Sequence, residues 1–229
     1  MDILIMNGFE AYTVRDHKRA RNLLMCFPNS IMFINIDEGL KEKEWEAYIR
    51  ELQENEKTRG CRLGILSYNT DRALMQKYLM DMSIPCGYIH LKLGIQESTK
   101  IILNALIVNE ARGKRRYIRA SCEDEPNATM NYQTEEGTRY GKLLDISSAG
   151  IAVKIDHFGN YPPNTLFRNV QLKLRGSLVM INAILMGKRR DDQDVWIFLF
   201  DPHMTPESKL TIHHFIKQNL QRYIDQLPV

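Results

Sequence analysis

Over residues 15–113 the apolar positions alternate between helical spacing and short solid runs, the pattern of an α/β layer on a mostly parallel sheet. Strand-like residues 9–14 come first. A basic helical stretch at 15–27 is closed by Pro28, and residues 30–37, rich in Ile, Met and Phe, read as a buried strand. The pattern then repeats as helix 41–57, strand 61–67, helix 71–81, strand 87–93 and helix 98–112. This last helix gathers Ile101, Ile102, Ala105, Leu106 and Val108 on a broad apolar face, with Gly113 as its C-terminal cap. These elements predict a first domain over residues 1–112.

Beyond Gly113 the period becomes two. Strand-like runs at 140–144 and 151–155 precede the alternating Val170, Leu172 and Leu174, and further runs follow at 178–186 and 195–200. Turns are signalled at Gly159-Asn160, at Pro162-Pro163 and over residues 190–193. Short strands at this spacing predict a small antiparallel barrel over residues 113–229. A final helix follows Pro206, capped by Thr205, with Ile212, Phe215, Ile216, Leu220, Tyr223 and Ile224 on one face.

Composition narrows the class. The 229 residues are 44% hydrophobic and 26% charged, enough apolar mass for one large domain or two small ones. A formal charge of +3 excludes nucleic-acid coating by bulk charge, so an anion site must be local. Cys26, Cys61, Cys86 and Cys122 lie far apart with no C-x-x-C, which points to reduced thiols in a cytoplasm. The first residues lack signal-peptide character, and the longest apolar runs, 101–108 and 195–200, fall well short of the roughly 20 residues that span a bilayer. The expectation is a cytoplasmic protein with no membrane insertion.

The densest basic run holds Arg112, Lys114, Arg115, Arg116 and Arg119, with no acid among them, at the expected domain junction. Taken alone it reads as a solvated linker. Further on, Asp145-Ile146-Ser147-Ser148-Ala149-Gly150 forms a polar turn between two strand-like runs, which alone reads as a tight hairpin. Together, R-x-x-x-R (Arg115, Arg119) followed by D-x-S-x-x-G (Asp145, Ser147, Gly150) at the opening of a small barrel resembles the PilZ domain, the bacterial receptor module for cyclic di-GMP. The resemblance spans about half the chain, from Arg115 through the last helix.

That resemblance implies roles. Cyclic di-GMP presents two phosphates and two guanines, and arginine's planar fork suits both phosphate oxygens and the guanine O6/N7 edge. Arg115, Arg116 and Arg119 are expected to hold the ligand by such contacts or by stacking. Asp145 is expected to accept from guanine donors, Ser147 to add a hydroxyl contact, and Gly150 to let the turn approach the ligand. Lys114 stands where the family sets whether one ligand or a stacked pair is bound. Trp196 reads either as core or as a group reshaping the barrel mouth.

The first domain bears a fainter resemblance to response-regulator receivers. Asp37, Ser67 and Lys92 follow successive strands in the order of a phosphoacceptor, hydroxyl and lysine. A receiver also needs an acid pair for Mg²⁺ from its first strand, where only scattered Asp2 and Glu10 are present. A receiver-like scaffold for protein contacts is therefore expected. His17, His90, His157, His203, His213 and His214 show no metal-ligand spacing, and no G-x-S-x-G, Walker loop or G-x-G-x-x-G occurs. The expected protein is no enzyme and has no cofactor or metal: it is a cyclic di-GMP sensor whose ligand reorients the domains and alters binding of an unidentified protein partner, with motility, attachment or virulence as output. The rivals are a nucleic-acid-binding module, disfavoured by few aromatics beyond Tyr117, and a phosphorelay adaptor using Asp37.

Overall fold

The computed structural model describes residues 1–111, 117–190, 192 and 194–229. The chain opens with α1 (Asp2–Met6), and Met1–Tyr12 pack with the barrel unit that also contains residues from Gly113 to Leu227. Ile5 is buried there, and Ala11 and Tyr12 lie against the same core. Residues 9–14 are not a strand: Ala11 and Tyr12 are engaged by the barrel core, and no described strand pairs with the segment.

The α/β unit, Thr13–Arg112, is built on three parallel strands. After α2 (His17–Cys26) come β1 (Ile31–Asn35), α3 (Glu42–Glu54), β2 (Arg62–Ser67), α4 (Arg72–Gln76), β3 (Tyr88–His90) and α5 (Gly94–Val108). The sheet order is β1-β2-β3. Local chemistry sets the helix starts. The Asp16 carboxylate accepts from the Arg19 amide at 2.7 Å, and Glu44 accepts from the Lys41 amide at 2.8 Å. On α3, Trp45, Tyr48, Ile49 and Leu52 recur at helical spacing and bury against Ile34, Leu63 and Ile65 of the sheet.

Three boundaries differ from the sequence reading. The helix expected over 71–81 is α4 followed by a π turn at Lys77–Asp81, which fully buries Tyr78. The strand expected over 87–93 ends at His90, because Leu91–Leu93 turn as 3₁₀ and Gly94, at φ 85°, redirects the chain into α5. Helix α5 thus begins earlier than expected. It also ends earlier, where the Asn109 side chain donates to the Ala105 carbonyl at 2.9 Å and Glu110 takes φ 52°. The expected cap at Gly113 lies outside the described residues. Of the expected α5 face only Leu106 is buried; Val108 is 79% exposed.

In the barrel unit, β4 (Arg119–Ser121) precedes β5 (Ala128–Thr134), β6 (Gly137–Ser147), β7 (Gly150–Lys154), β8 (Leu166–Leu174), β9 (Ser177–Lys188) and β10 (Val195–Phe200). The order β6-β5-β8-β9-β10-β7 closes by pairing β7 back onto β6, giving a six-stranded antiparallel barrel with β4 outside on β6. Strand β5 was not anticipated, since its inward Ala128, Met130 and Tyr132 alternate with Thr129, Asn131 and Gln133 and leave only a brief apolar signal. The interior is filled by Met130, Leu143, Ile146, Leu172, Leu185 and Phe198, each worth about 1.5–3 kcal/mol of burial.

Helix α6 (Pro206–Gln226) packs on β4, β6 and β9. Its cap is as expected, with the Thr205 hydroxyl accepting from the Ser208 amide at 3.2 Å. Ile212, Phe215, Ile216, Leu220 and Ile224 are buried, whereas Tyr223 is 53% exposed. A polar clamp holds the helix: Arg175 donates to both oxygens of Glu125, at 3.1 and 2.6 Å, and Arg222 reaches the same carboxylate from α6. Asn219 donates to the Ser121 carbonyl at 3.3 Å, and Lys217 pairs with Asp2 of α1 at 2.9 Å.

Candidate functional site

The two segments singled out in the sequence meet on the barrel wall. Strand β4 lies antiparallel to the end of β6 in a register that sets Arg119 opposite Ser147 and Ser121 opposite Asp145. Leu143 and Ile146 are both fully buried although three residues apart, which strict alternation forbids. A register irregularity between Leu143 and Asp145 takes up the extra residue and leaves Asp145 outside the core. Arg119 Nη1 stands 3.9 Å from Asp145 Oδ1, and Arg189 Nη1 stands 3.8 Å from Oδ2. The carboxylate is 20% exposed and the two arginines 44% and 40%.

Ser147 and Gly150 build the turn beside this cluster. The buried Ser147 hydroxyl accepts from the Ala149 and Gly150 amides and donates to the Gly150 carbonyl, all at 3.2 Å. Gly150 is required by proximity: a Cβ there would stand 2.2 Å from the Phe198 carbonyl oxygen of β10. Both residues therefore have structural tasks in locking the β6–β7 turn. Lys114, Arg115 and Arg116 lie outside the described residues. Arg189 is the residue the sequence reading missed; its signal is Lys188-Arg189-Arg190, basic residues between the apolar run 178–186 and the turn read over 190–193.

Trp196 packs half-buried against the barrel core, its ring centroid 4.3 Å from that of Phe158, with Lys188 Nζ 5.0 Å from its own. Cys122, which follows β4 and whose amide donates to the Leu144 carbonyl at 2.7 Å, is fully buried and its thiol is pushed up to about 12, chiefly by that burial.

In the α/β unit, Asp37 and Ser67 are brought together as the receiver resemblance implies. The Ser67 hydroxyl donates to Asp37 Oδ1 at 2.6 Å and the Tyr68 amide to Oδ2 at 2.6 Å, so both carboxylate oxygens are engaged. Lys92 lies exposed on the 3₁₀ turn after β3, which ends at His90. Asp2 and Glu10, the acids of the first segment, belong to the barrel unit instead.

Fold and site together define a small closed β-barrel with a guanidinium–carboxylate cluster on its outer wall. Solved structures similar to the chain include a PilZ domain. One is the PilZ domain with c-di-GMP of YcgR from Escherichia coli, at 17% identity and a TM-score of 0.40, the match covering 50% of this chain and 99% of that one. Another is the MrkH–c-di-GMP complex of K. pneumonia, at 17% identity and a TM-score of 0.35, covering 46% of this chain and 50% of that one. A third is the Bacillus subtilis inhibitor of motility MotI, at 14% identity and a TM-score of 0.39, covering 49% and 53%. The chain thus spans about half the length of MrkH and MotI. No protein-family model and no curated protein matches it. No helix among the described residues is long and apolar enough to cross a membrane.

Proposed function

We propose that the barrel unit is a PilZ-type receptor for cyclic di-GMP and that the chain is a cytoplasmic effector rather than an enzyme. The observation that carries this reading is the meeting of Arg119 and Asp145 across neighbouring strands, which joins the two motif segments in one surface cluster. A guanidinium beside a carboxylate offers what a guanine nucleotide needs: forked donors for phosphate or the O6/N7 edge, and an acceptor for the N1 and N2 donors. In this reading Lys114, Arg115 and Arg116 close over the ligand from the segment before β4, while Ser147 and Gly150 act by holding the turn that presents Asp145.

The same segment joins the α/β unit to the barrel, so its capture by a dianionic ligand changes the relation between the units. The α/β unit serves as a docking platform for a protein partner, and the output is motility, attachment or virulence. Titration calorimetry against cyclic di-GMP, cyclic di-AMP, GTP and cyclic GMP tests the reading. Cyclic di-GMP is expected to bind at micromolar affinity or tighter, about 8 kcal/mol or more, with the others far weaker. No heat and no competition at about 100 µM overturns it.

A further inference from the structure

The geometry points to Arg189, on the turn between β9 and β10, as an additional arginine of the ligand site, reaching cyclic di-GMP from the side of Asp145 away from Arg119. This rests on the receptor reading above and adds to it a residue that neither motif contains.

The placement follows from the strands. Across the barrel wall Asp145 pairs with Ala152, Ala152 with Ile197, and Ile197 with Gly187. Lys188 ends β9 over the Trp196 ring, and Arg189, the next residue, stands 3.8 Å from Asp145. The Arg189 amide donates to the Val195 carbonyl at 2.7 Å, which fixes the backbone from which the side chain extends. Gly187 aims it: its φ of 127° is one that side chains rarely adopt, while the space around its Cβ position is open, so backbone conformation rather than room calls for glycine.

The contact itself argues against a purely structural pair. At 3.9 and 3.8 Å, Arg119 and Arg189 both stand beyond hydrogen-bonding distance of the carboxylate, whereas a structural arginine–carboxylate fork closes to about 2.8 Å. All three groups are partly exposed, so water screens the pair and its contribution to folding is small. Two cations from different strands converge on the one carboxylate that the receptor reading assigns to the ligand. A molecule with two phosphates and two purine edges can engage both forks at once, and arginine suits either contact.

The test is a calorimetric titration of the full chain with cyclic di-GMP, in wild type, Arg119→Ala, Arg189→Ala, Arg189→Lys and the pairing of Arg189→Ala with Asp145→Asn, with a melting curve for each. Arg189→Ala is expected to weaken binding tenfold or more at an unchanged melting temperature, and Arg189→Lys to recover little because the fork is lost. The loss is expected to persist in the Asp145→Asn background, as an independent contact requires. Wild-type affinity in both Arg189 variants while Arg119→Ala binds weakly overturns the assignment and leaves the receptor reading intact. A loss that vanishes in the Asp145→Asn background makes Arg189 a support for Asp145 and overturns the direct contact. If wild type itself does not bind, both readings fall. Should Arg189→Ala melt early, Arg189→Lys at wild-type melting temperature decides: weakened binding supports the assignment, unchanged binding overturns it.

Discussion

A methyl group at position 150 has nowhere to go, because the β10 backbone stands where it would point. Gly150→Ala must push β7 and β10 apart and is expected to cost about 2–3 kcal/mol of stability, read as a lower denaturation midpoint; an unchanged midpoint would show that the wall yields freely. Asp145 sits at the other end of the motif with a different task. Asp145→Ala is expected to weaken cyclic di-GMP at least tenfold and to erode its preference over cyclic di-AMP, since adenine lacks the guanine donors, whereas Ser147→Ala acts mainly on the turn. Retained preference would make Asp145 a turn residue only. Asp37 is expected to resist phosphorylation: both its oxygens already accept hydrogen bonds, and the acids of the first segment lie in the other unit. Acetyl phosphate with Mg²⁺ should add no mass, and a stoichiometric adduct abolished by Asp37→Ala would show otherwise. At this scale the sequence is legible for Asp145 and Gly150, whose order and spacing form a compact signature. It is silent on Arg189, whose meeting with Asp145 depends on barrel closure across residues 44 positions apart.

Among the elements, α6 is held in part by charge. Arg175, foremost, and Arg222 hold the Glu125 carboxyl below its ordinary 4.5, and the side chain is only 8% exposed. A carboxylate depressed in the folded state adds stability that is full above its unfolded value and is lost as pH falls through the lower folded one. Stability should therefore hold near pH 7 and decline below about 4.5, and Glu125→Gln should flatten that decline while lowering stability at pH 7 by about 3 kcal/mol. Equal acid slopes in the two proteins would mean that other carboxylates dominate. Helix α6 is legible from Thr205, Pro206 and its apolar spacing, with Tyr223 the one face residue that stays exposed. The ends of β3 and α5 are not, because the 3₁₀ turn at Leu91–Leu93 and the Asn109 cap are settled by local competition for backbone groups that apolar periodicity does not register. The short β5 is hidden for a related reason: its inward positions are too few and too mixed to stand out until β6 and β8 flank them.

For the whole molecule, helical spacing followed by alternation reads as an α/β layer and then a barrel, the two architectures that the fold contains. What it does not reveal is that the first dozen residues pack with the barrel, a tertiary fact carried by Ile5, Ala11, Tyr12 and the Asp2–Lys217 pair. If the ligand gathers the segment before β4, hydrogen exchange should slow across residues 112–121 on adding cyclic di-GMP, and distances between labels on the two units should shift by several ångströms. Protection limited to residues 145–150, with unchanged distances, would leave a receptor without this output.

The assignment of Met1–Tyr12 to the barrel unit makes the α/β unit an insertion, entered and left by way of the same body. A domain on a single leash can sample a wide cone of orientations, whereas one moored by both its ends is restricted mainly to rotation about the line joining its moorings. The second mooring is the arginine-bearing segment. If the proposed ligand draws that segment in, cutting the first tether, at residues 12–13, is expected to leave binding intact while uncoupling it from any change in distance between labels on the two units.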